Sequence, residues 1–207
     1  LHINLYTKST NFDNMLNYDG KNHVKVTMNL NTEYVINRYE KHTSSLNERI
    51  IAVNNILKAK KGFIIDLTIE PIIMYDDYMQ DYSALAEKIK DEIDLSDKKI
   101  NTIKFGGVRY KTGLKTKILN NHPESDLFKH KAQLVEPTGT DARHRYSEKA
   151  RTDIYQMFID TFIKNRKKLI LGCEFSSMWK KVGLEWIDYL DNFVFQYNDH
   201  NKHKYPL

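Results

Sequence analysis

Two groups of residues in this 207-residue chain have the types and spacing for holding a charged, ring-bearing ligand. Arg143, His144, Arg145 and Tyr146 stand consecutively in a polar stretch. Gly106-Gly107-Val108-Arg109-Tyr110 repeats the theme of open backbone, guanidinium and aromatic ring. A guanidinium grips phosphate through paired donors and an aromatic ring stacks on a base, so the combination suits nucleic acid. A solvated basic loop ahead of a helix would look the same. A third set is scattered along the chain: Lys8, Asn29, Glu70, Arg109 and the pair Cys173-Glu174 each end or follow a strand-like apolar run. Gathered on one rim, these cations, amide and carboxylates would suit a zwitterionic, phosphate-bearing ligand. Loops after strands are polar in any protein, so the set matters only if the fold brings it together.

Other chemistries lack their residues. With a single cysteine, Cys173, the chain has no internal disulfide framework and no three- or four-cysteine metal site. That cysteine usage fits a reducing, cytoplasmic compartment. His200 and His203 stand in the polar run HNKHKYPL and read as a tail rather than a metal site. There is no P-loop, no Ser-His-Asp order and no paired-carboxylate pattern, and no G-x-G-x-x-G follows a strand-like run. No apolar stretch reaches the roughly 18 residues of a membrane span. The composition, 41% hydrophobic and 29% charged, is that of a globular protein. The net charge of +5 is unevenly placed. Residues 75–100 carry eight acids against four lysines, whereas 101–151 carry eleven Lys/Arg against five acids. A phosphate-binding face requires such an excess, although an ordinary solvated surface can show one too.

The elements that must position these residues alternate. Strand patterns lie at 1–6, 23–29, 63–67, 100–105 and 169–173. Helical patterns lie at 32–39, 45–60, 77–93, 114–119, 148–164 and from 176 onward. Ser45 and Glu48 form a capping box for the second helix, and Gly62 follows its end. Residues 124–146 read as irregular, with Pro137 and Gly139 inside them. Strands alternating with helices predict an α/β fold, a parallel sheet with helices outside. Five strands fall short of the eight of a closed barrel. We therefore expect the later part of a (β/α) barrel over residues 1–183 and an aromatic-rich appendage over 184–207. An open doubly wound sheet is the structural alternative. The chain opens on Leu1 inside an apolar run, which leads us to expect a preceding segment.

The order of these motifs resembles the spore photoproduct lyase family. VKVTMNLNTEYVINRYEKHTSSLNERIIAVNNILKA and IEPIIMYDDYMQDYSALAEKI come first. GGVRY, HPES, RHRY, ARTDIYQMFIDTF and LILGCEFSSMWKKVGL follow in the family's sequence. The resemblance spans roughly residues 3–183. It implies a radical S-adenosylmethionine (SAM) enzyme on a partial TIM-type barrel, in which a [4Fe-4S] cluster held by CxxxCxxC cleaves SAM. The resulting 5′-deoxyadenosyl radical starts the reversal of a thymine-dimer lesion in DNA. CxxxCxxC is absent from this chain, so the resemblance implies a cluster supplied from an upstream segment or a separate chain. Cys173 matches neither a cluster ligand nor the family's hydrogen-donating cysteine.

Residue by residue, the resemblance gives three SAM contacts and three substrate contacts. Lys8 matches a lysine that approaches the SAM carboxylate, and Asn29 the place of a serine that hydrogen-bonds SAM. Glu70 matches the residue before a proline where the backbone meets SAM. That residue is usually small in the family, so glutamate departs from the pattern. Arg145 and Tyr146 resemble an arginine–tyrosine pair on a hairpin that enters damaged DNA, and Arg109 an arginine facing the substrate. No residue is assigned to catalysis or to a metal. Damaged DNA is the expected partner, with no membrane. Two further readings stay open: a family member acting on another substrate, and a cluster-less remnant that binds nucleic acid.

Overall fold

A computed structural model describes residues 3–129, 134–135 and 143–185. In chain order the strands are β1 (Ile3–Thr7), β2 (Val24–Asn29), β3 (Phe63–Ile72), β4 (Ile100–Gly107), β5 (Arg109–Lys111), β6 (Leu134–Val135), β7 (Arg143–Tyr146) and β8 (Leu169–Leu171). The helices are α1 (Asp13–Leu16), α2 (Glu33–Tyr39), α3 (Leu46–Ala59), α4 (Tyr78–Glu92), α5 (Leu114–Asn121), α6 (Glu148–Thr161) and α7 (Ser176–Lys181). A 3-10 segment, Ile163–Lys168, precedes β8.

Five strands form one wholly parallel sheet in the order β1-β2-β3-β4-β8. Each crossover steps to the next place in the same direction. That is the winding of a barrel; a doubly wound sheet reverses direction part-way. The capping box of α3 forms as the sequence predicts: Ser45 accepts from Glu48 N, and the Glu48 carboxylate returns to Ser45 N at 2.7 Å. Ser147 caps α6 by accepting from Ala150 N.

The sheet's two faces differ in kind. Val26, Met28, Ile65, Leu67, Ile69, Ile103 and Phe105 are fully buried on one face. There α3 packs on β2 and β3, and Phe158 of α6 stacks on Phe105 at 5.1 Å. Each such side chain contributes about 1.5–3 kcal/mol by leaving water. Alternation places Lys25, Thr27, Asn29, Asp66, Thr68, Glu70, Thr102 and Lys104 on the opposite face. These groups satisfy one another: Lys25 meets Asp66 at 2.8 Å, Thr27 donates to Asn4 at 2.9 Å and Asn101 donates to Asp66 at 2.7 Å. A parallel strand buried on both faces would be apolar throughout. The polar face is what a barrel interior kept for a ligand requires.

Three expectations need correction. β3 does not stop at Leu67 but runs through Glu70 and Pro71 to Ile72. Its register with β4 skips between Ile69 and Ile72, where the missing proline N–H is accommodated. β8 is shorter than expected: after Gly172 N bonds Phe105 O at 2.8 Å, the chain turns at Cys173 with φ 57°. Residues 124–146 are not irregular throughout. β7 pairs antiparallel with both β5 and β6 to form a three-stranded sheet. The appendage from residue 186 on lies outside the described residues, His200 and His203 included. Among the described residues no helix is long and apolar enough to cross a membrane.

Candidate functional site

The C-terminal ends of the parallel strands carry a continuous chain of polar contacts. Lys8, just past β1, lies 2.8 Å from Glu40 Oε1, with about a third of its side chain exposed. Glu40 is buried and also meets Arg49 Nη1 at 2.8 Å. Arg49 itself is fully buried, and every face of its guanidinium is used. It donates to Ser44 O at 2.9 Å, Thr43 Oγ1 at 2.7 Å and Asn29 O at 3.2 Å. Asn29 then donates through Nδ2 to Glu70 O at 2.5 Å. Finally, the Glu70 carboxylate lies 2.8 Å from Lys104 Nζ and accepts from Thr68 at 3.2 Å. Burial opposes the Lys104 charge, but the neighbouring Glu70 outweighs it and holds the ammonium above the ordinary lysine value. The fold thus brings Lys8, Asn29 and Glu70 together through two residues the sequence did not single out, Glu40 and Arg49, and a third, Lys104, pairs with Glu70 at the end of the chain of contacts.

Glycine makes room for Glu70. A Cβ on Gly172 would stand 1.5 Å from Glu70 Oε1, and one on Gly106 2.6 Å from it. Any side chain on Gly172 would expel the carboxylate. Glu70 therefore fills the space between β4 and β8, where a small residue was the expected pattern.

Two residues past Gly172, Glu174 forms a second node, its side chain only 4% exposed. It accepts from Arg145 at 3.3 Å, from Arg151, and from the Tyr155 hydroxyl at 2.9 Å. Burial, then the Glu174 charge, pushes the Tyr155 hydroxyl well up. That hydroxyl also accepts from Gly107 N at 3.2 Å, while Arg151 donates to Tyr146 O at 2.9 Å. The node ties the end of β4, the end of β8, α6 and β7 into one unit.

The antiparallel sheet is a basic ribbon. Arg109 stands opposite Arg145, and Lys111 opposite Arg143, so alternation puts all four cations on one face. The other face carries Tyr110 and His144, whose rings stack at 4.7 Å, and Tyr146. Like charges placed directly opposite destabilise a strand pair. A row of them is favourable where it meets an anion. Among the described residues, Arg109, Lys111 and Arg143 meet no carboxylate.

Tyr146 departs from its expected place. It is 1% exposed, its hydroxyl accepts from Met74 N at 2.9 Å, and burial pushes it up to about 12. In this position its ring fixes the ribbon to the core and has no face open to a base. Arg145 is likewise turned inward, to Glu174 and onto the Phe175 ring, 5.1 Å from its centroid. Among the described residues no group of three or more His, Cys, Asp or Glu is placed to hold a metal ion. One thiol, Cys173, cannot supply the three thiolates of a [4Fe-4S] cluster, so these residues do not fit that group.

The family model for Spore photoproduct lyase matches residues 2–168. The chain belongs to the spore photoproduct lyase family. It is 33% identical over 123 residues to the spore photoproduct lyase of Clostridium acetobutylicum, covering 58% of this chain and 34% of that protein. With the spore photoproduct lyase of Bacillus subtilis it shares 24% over 170 residues, 80% of this chain and 49% of the other. The chain thus spans between a third and half of the length of these relatives. A solved spore photoproduct lyase complexed with dinucleoside spore photoproduct superposes with a TM-score of 0.65 at 18% identity, over 82% of this chain and 50% of that one. A variant with bound AdoMet and dinucleoside spore photoproduct gives 0.62 at 19% identity, over the same shares. These likenesses agree with the partial-barrel fold described above.

Proposed function

We propose that these residues form the C-terminal half of a cytoplasmic spore photoproduct lyase-type radical SAM enzyme that repairs thymine-dimer lesions in DNA. The observation that carries this reading is the juxtaposition of a polar barrel rim with a basic ribbon, joined through Glu174. The rim suits the amino-acid part of SAM: Lys8 for its carboxylate, with Asn29 and Glu70 orienting the floor beside it. SAM bound there would supply the hydrogen-abstracting radical once a cluster is provided by a segment or chain bearing CxxxCxxC. These residues contribute binding and orientation; no step is routed through a cluster of their own. Lys104 and Glu70 hold each other in place on the interior face. Arg109, Lys111 and Arg143 take the phosphates of the damaged strand, and the underside of the ribbon, through Tyr146, keeps them at a fixed distance from the rim.

Each phosphate neutralised releases counterions, so affinity falls with salt at a slope set by the number of contacts. In fluorescence anisotropy across a salt series on a spore-photoproduct duplex, Lys111→Ala and Arg143→Ala are each expected to lower that slope by about one. Binding to undamaged duplex should weaken equally, because phosphate contacts carry no lesion information. Unchanged slopes in both variants would remove DNA as the partner of this face and favour a family member acting on another substrate.

A further inference from the structure

Resting on the nucleic-acid reading above, we infer that Phe175, backed by Arg145, is the aromatic on which a nucleobase of the bound strand stacks. Phe175 is 54% exposed, far more than the core phenylalanines Phe105, Phe158 and Phe162, which are at most 1% exposed. A lone exposed aromatic needs no explanation; this one is built in. The Arg145 guanidinium lies over its ring at 5.1 Å, and that guanidinium is itself held by Glu174, with only 12% of its side chain exposed. A cation fixed on one side of a ring leaves the other side as a stacking platform, the arrangement that recurs where single-stranded bases are gripped.

Location separates Phe175 from the other exposed aromatics. Tyr18 precedes β2, at the far end of the sheet from the rim, and Tyr6 lies on the edge strand β1. Tyr34 already stacks on Tyr75 at 3.9 Å. Phe175 follows Glu174 directly, and its partner Arg145 stands opposite Arg109 in the ribbon. Phosphates on Arg109, Lys111 and Arg143 would therefore place an unstacked base within reach of this ring. The charge complementarity of the ribbon is what commits the occupant to a nucleic-acid strand. The role that Tyr146 cannot fill from the core is open to Phe175 on the surface.

The test uses the full chain and two probes, a thymine oligonucleotide and an abasic oligonucleotide of the same length, each across a salt series. Phe175→Ala is expected to weaken binding to the thymine strand roughly tenfold or more, with the salt slope unchanged and abasic binding unaltered. Phe175→Trp should keep the affinity and add an indole fluorescence signal that thymine, and not the abasic strand, quenches beyond the wild-type change. Equal losses by Phe175→Ala on both probes would overturn the inference and make Phe175 a prop for Arg145. Wild-type affinity in Phe175→Ala would overturn it as well. If the wild-type chain binds neither probe, the nucleic-acid reading falls and the inference with it. Thermal melts of both variants show whether a loss comes from unfolding.

Discussion

On the barrel's rim and polar interior face the cations meet carboxylates: Lys8 and Arg49 share Glu40, Lys104 meets Glu70, and, farther from the rim, Lys25 meets Asp66. On the ribbon, Arg109, Lys111 and Arg143 stand beside one another instead, and only Arg145 turns inward to Glu174. The first pattern fixes positions, because a desolvated charge stays where its partner is. The second leaves a row of positive charge that no carboxylate among the described residues pairs off, apart from Glu174 at Arg145. Cations in one protein can thus be held in ion pairs at one place and set side by side at another. What separates the two, among the described residues, is whether a carboxylate stands beside the cation.

The largest effect is expected where pairing is most complete. Removing one partner of a buried pair leaves an uncompensated charge and costs about 3–5 kcal/mol. Arg49→Met leaves Glu40 with the partly exposed Lys8 as its remaining cation and takes the donor from four further acceptors, so urea unfolding should show a loss toward the lower end of that range. A loss under about 1 kcal/mol would mean that the rim pairs hold nothing in place, and the contrast with the ribbon would collapse.

Next in size is the underside of the ribbon. Tyr146→Phe removes the acceptor of Met74 N and leaves a buried donor unsatisfied, at about 1–3 kcal/mol. Its pH dependence has a definite sign. Burial raises the Tyr146 hydroxyl from about 10 unfolded to about 12 folded. Stability from keeping it neutral is therefore complete below about pH 10 and is lost as pH rises toward and through 12. Absorbance at the tyrosinate band should show this ring titrating only with alkaline unfolding, and the wild-type advantage over Tyr146→Phe should shrink across that window. A ring that ionises near 10 with the fold intact would place Tyr146 at the surface and return it to the base-stacking role.

Much of this arrangement was legible in the sequence, and the failures have physical causes. β2 was visible because VKVTMN alternates, and that same alternation already contained the polar interior face. The end of β3 was misplaced because Pro71 reads as a stop, yet a bulged strand tolerates it. Only the family resemblance implied a hairpin at the ribbon; the residues alone read as irregular because RHRY looks polar throughout. Its period of two is there, with His144 and Tyr146 taking the buried positions that apolar residues usually fill. Arg49 shares a helical face with Ala52, Val53 and Ile56 at i+3, i+4 and i+7, all of them buried, a pattern that marks its side chain as inward-facing although its charge alone does not. Phe175 carried no sequence signal, since only the fold places Arg145 against its ring.

The smallest effect tests the paired pattern where solvent weakens it. Asp126, in the loop after α5, accepts from Arg38 Nε at 3.1 Å and from the Tyr39 hydroxyl at 2.8 Å, joining that loop to α2. Burial works against its charge, but the bonds from Arg38 and Tyr39 and the charge of Arg38 together outweigh it, and the carboxyl sits below its ordinary value. Half of the Arg38 side chain is exposed, so the pair is well screened. Asp126→Asn should lower the melting temperature by only about 1–2 °C at neutral pH. The sign follows from the depressed carboxyl: its contribution is complete above an unfolded value near 4 and disappears as pH falls through the lower folded value. The melting difference between wild type and Asp126→Asn should therefore be constant from neutrality down to about pH 5, vanish in more acidic buffer, and shrink in high salt. If it instead matched the Arg49→Met effect and ignored salt, exposure would not be what separates a weak pair from a strong one, and the ribbon cations would need another explanation than the lack of a carboxylate partner among the described residues.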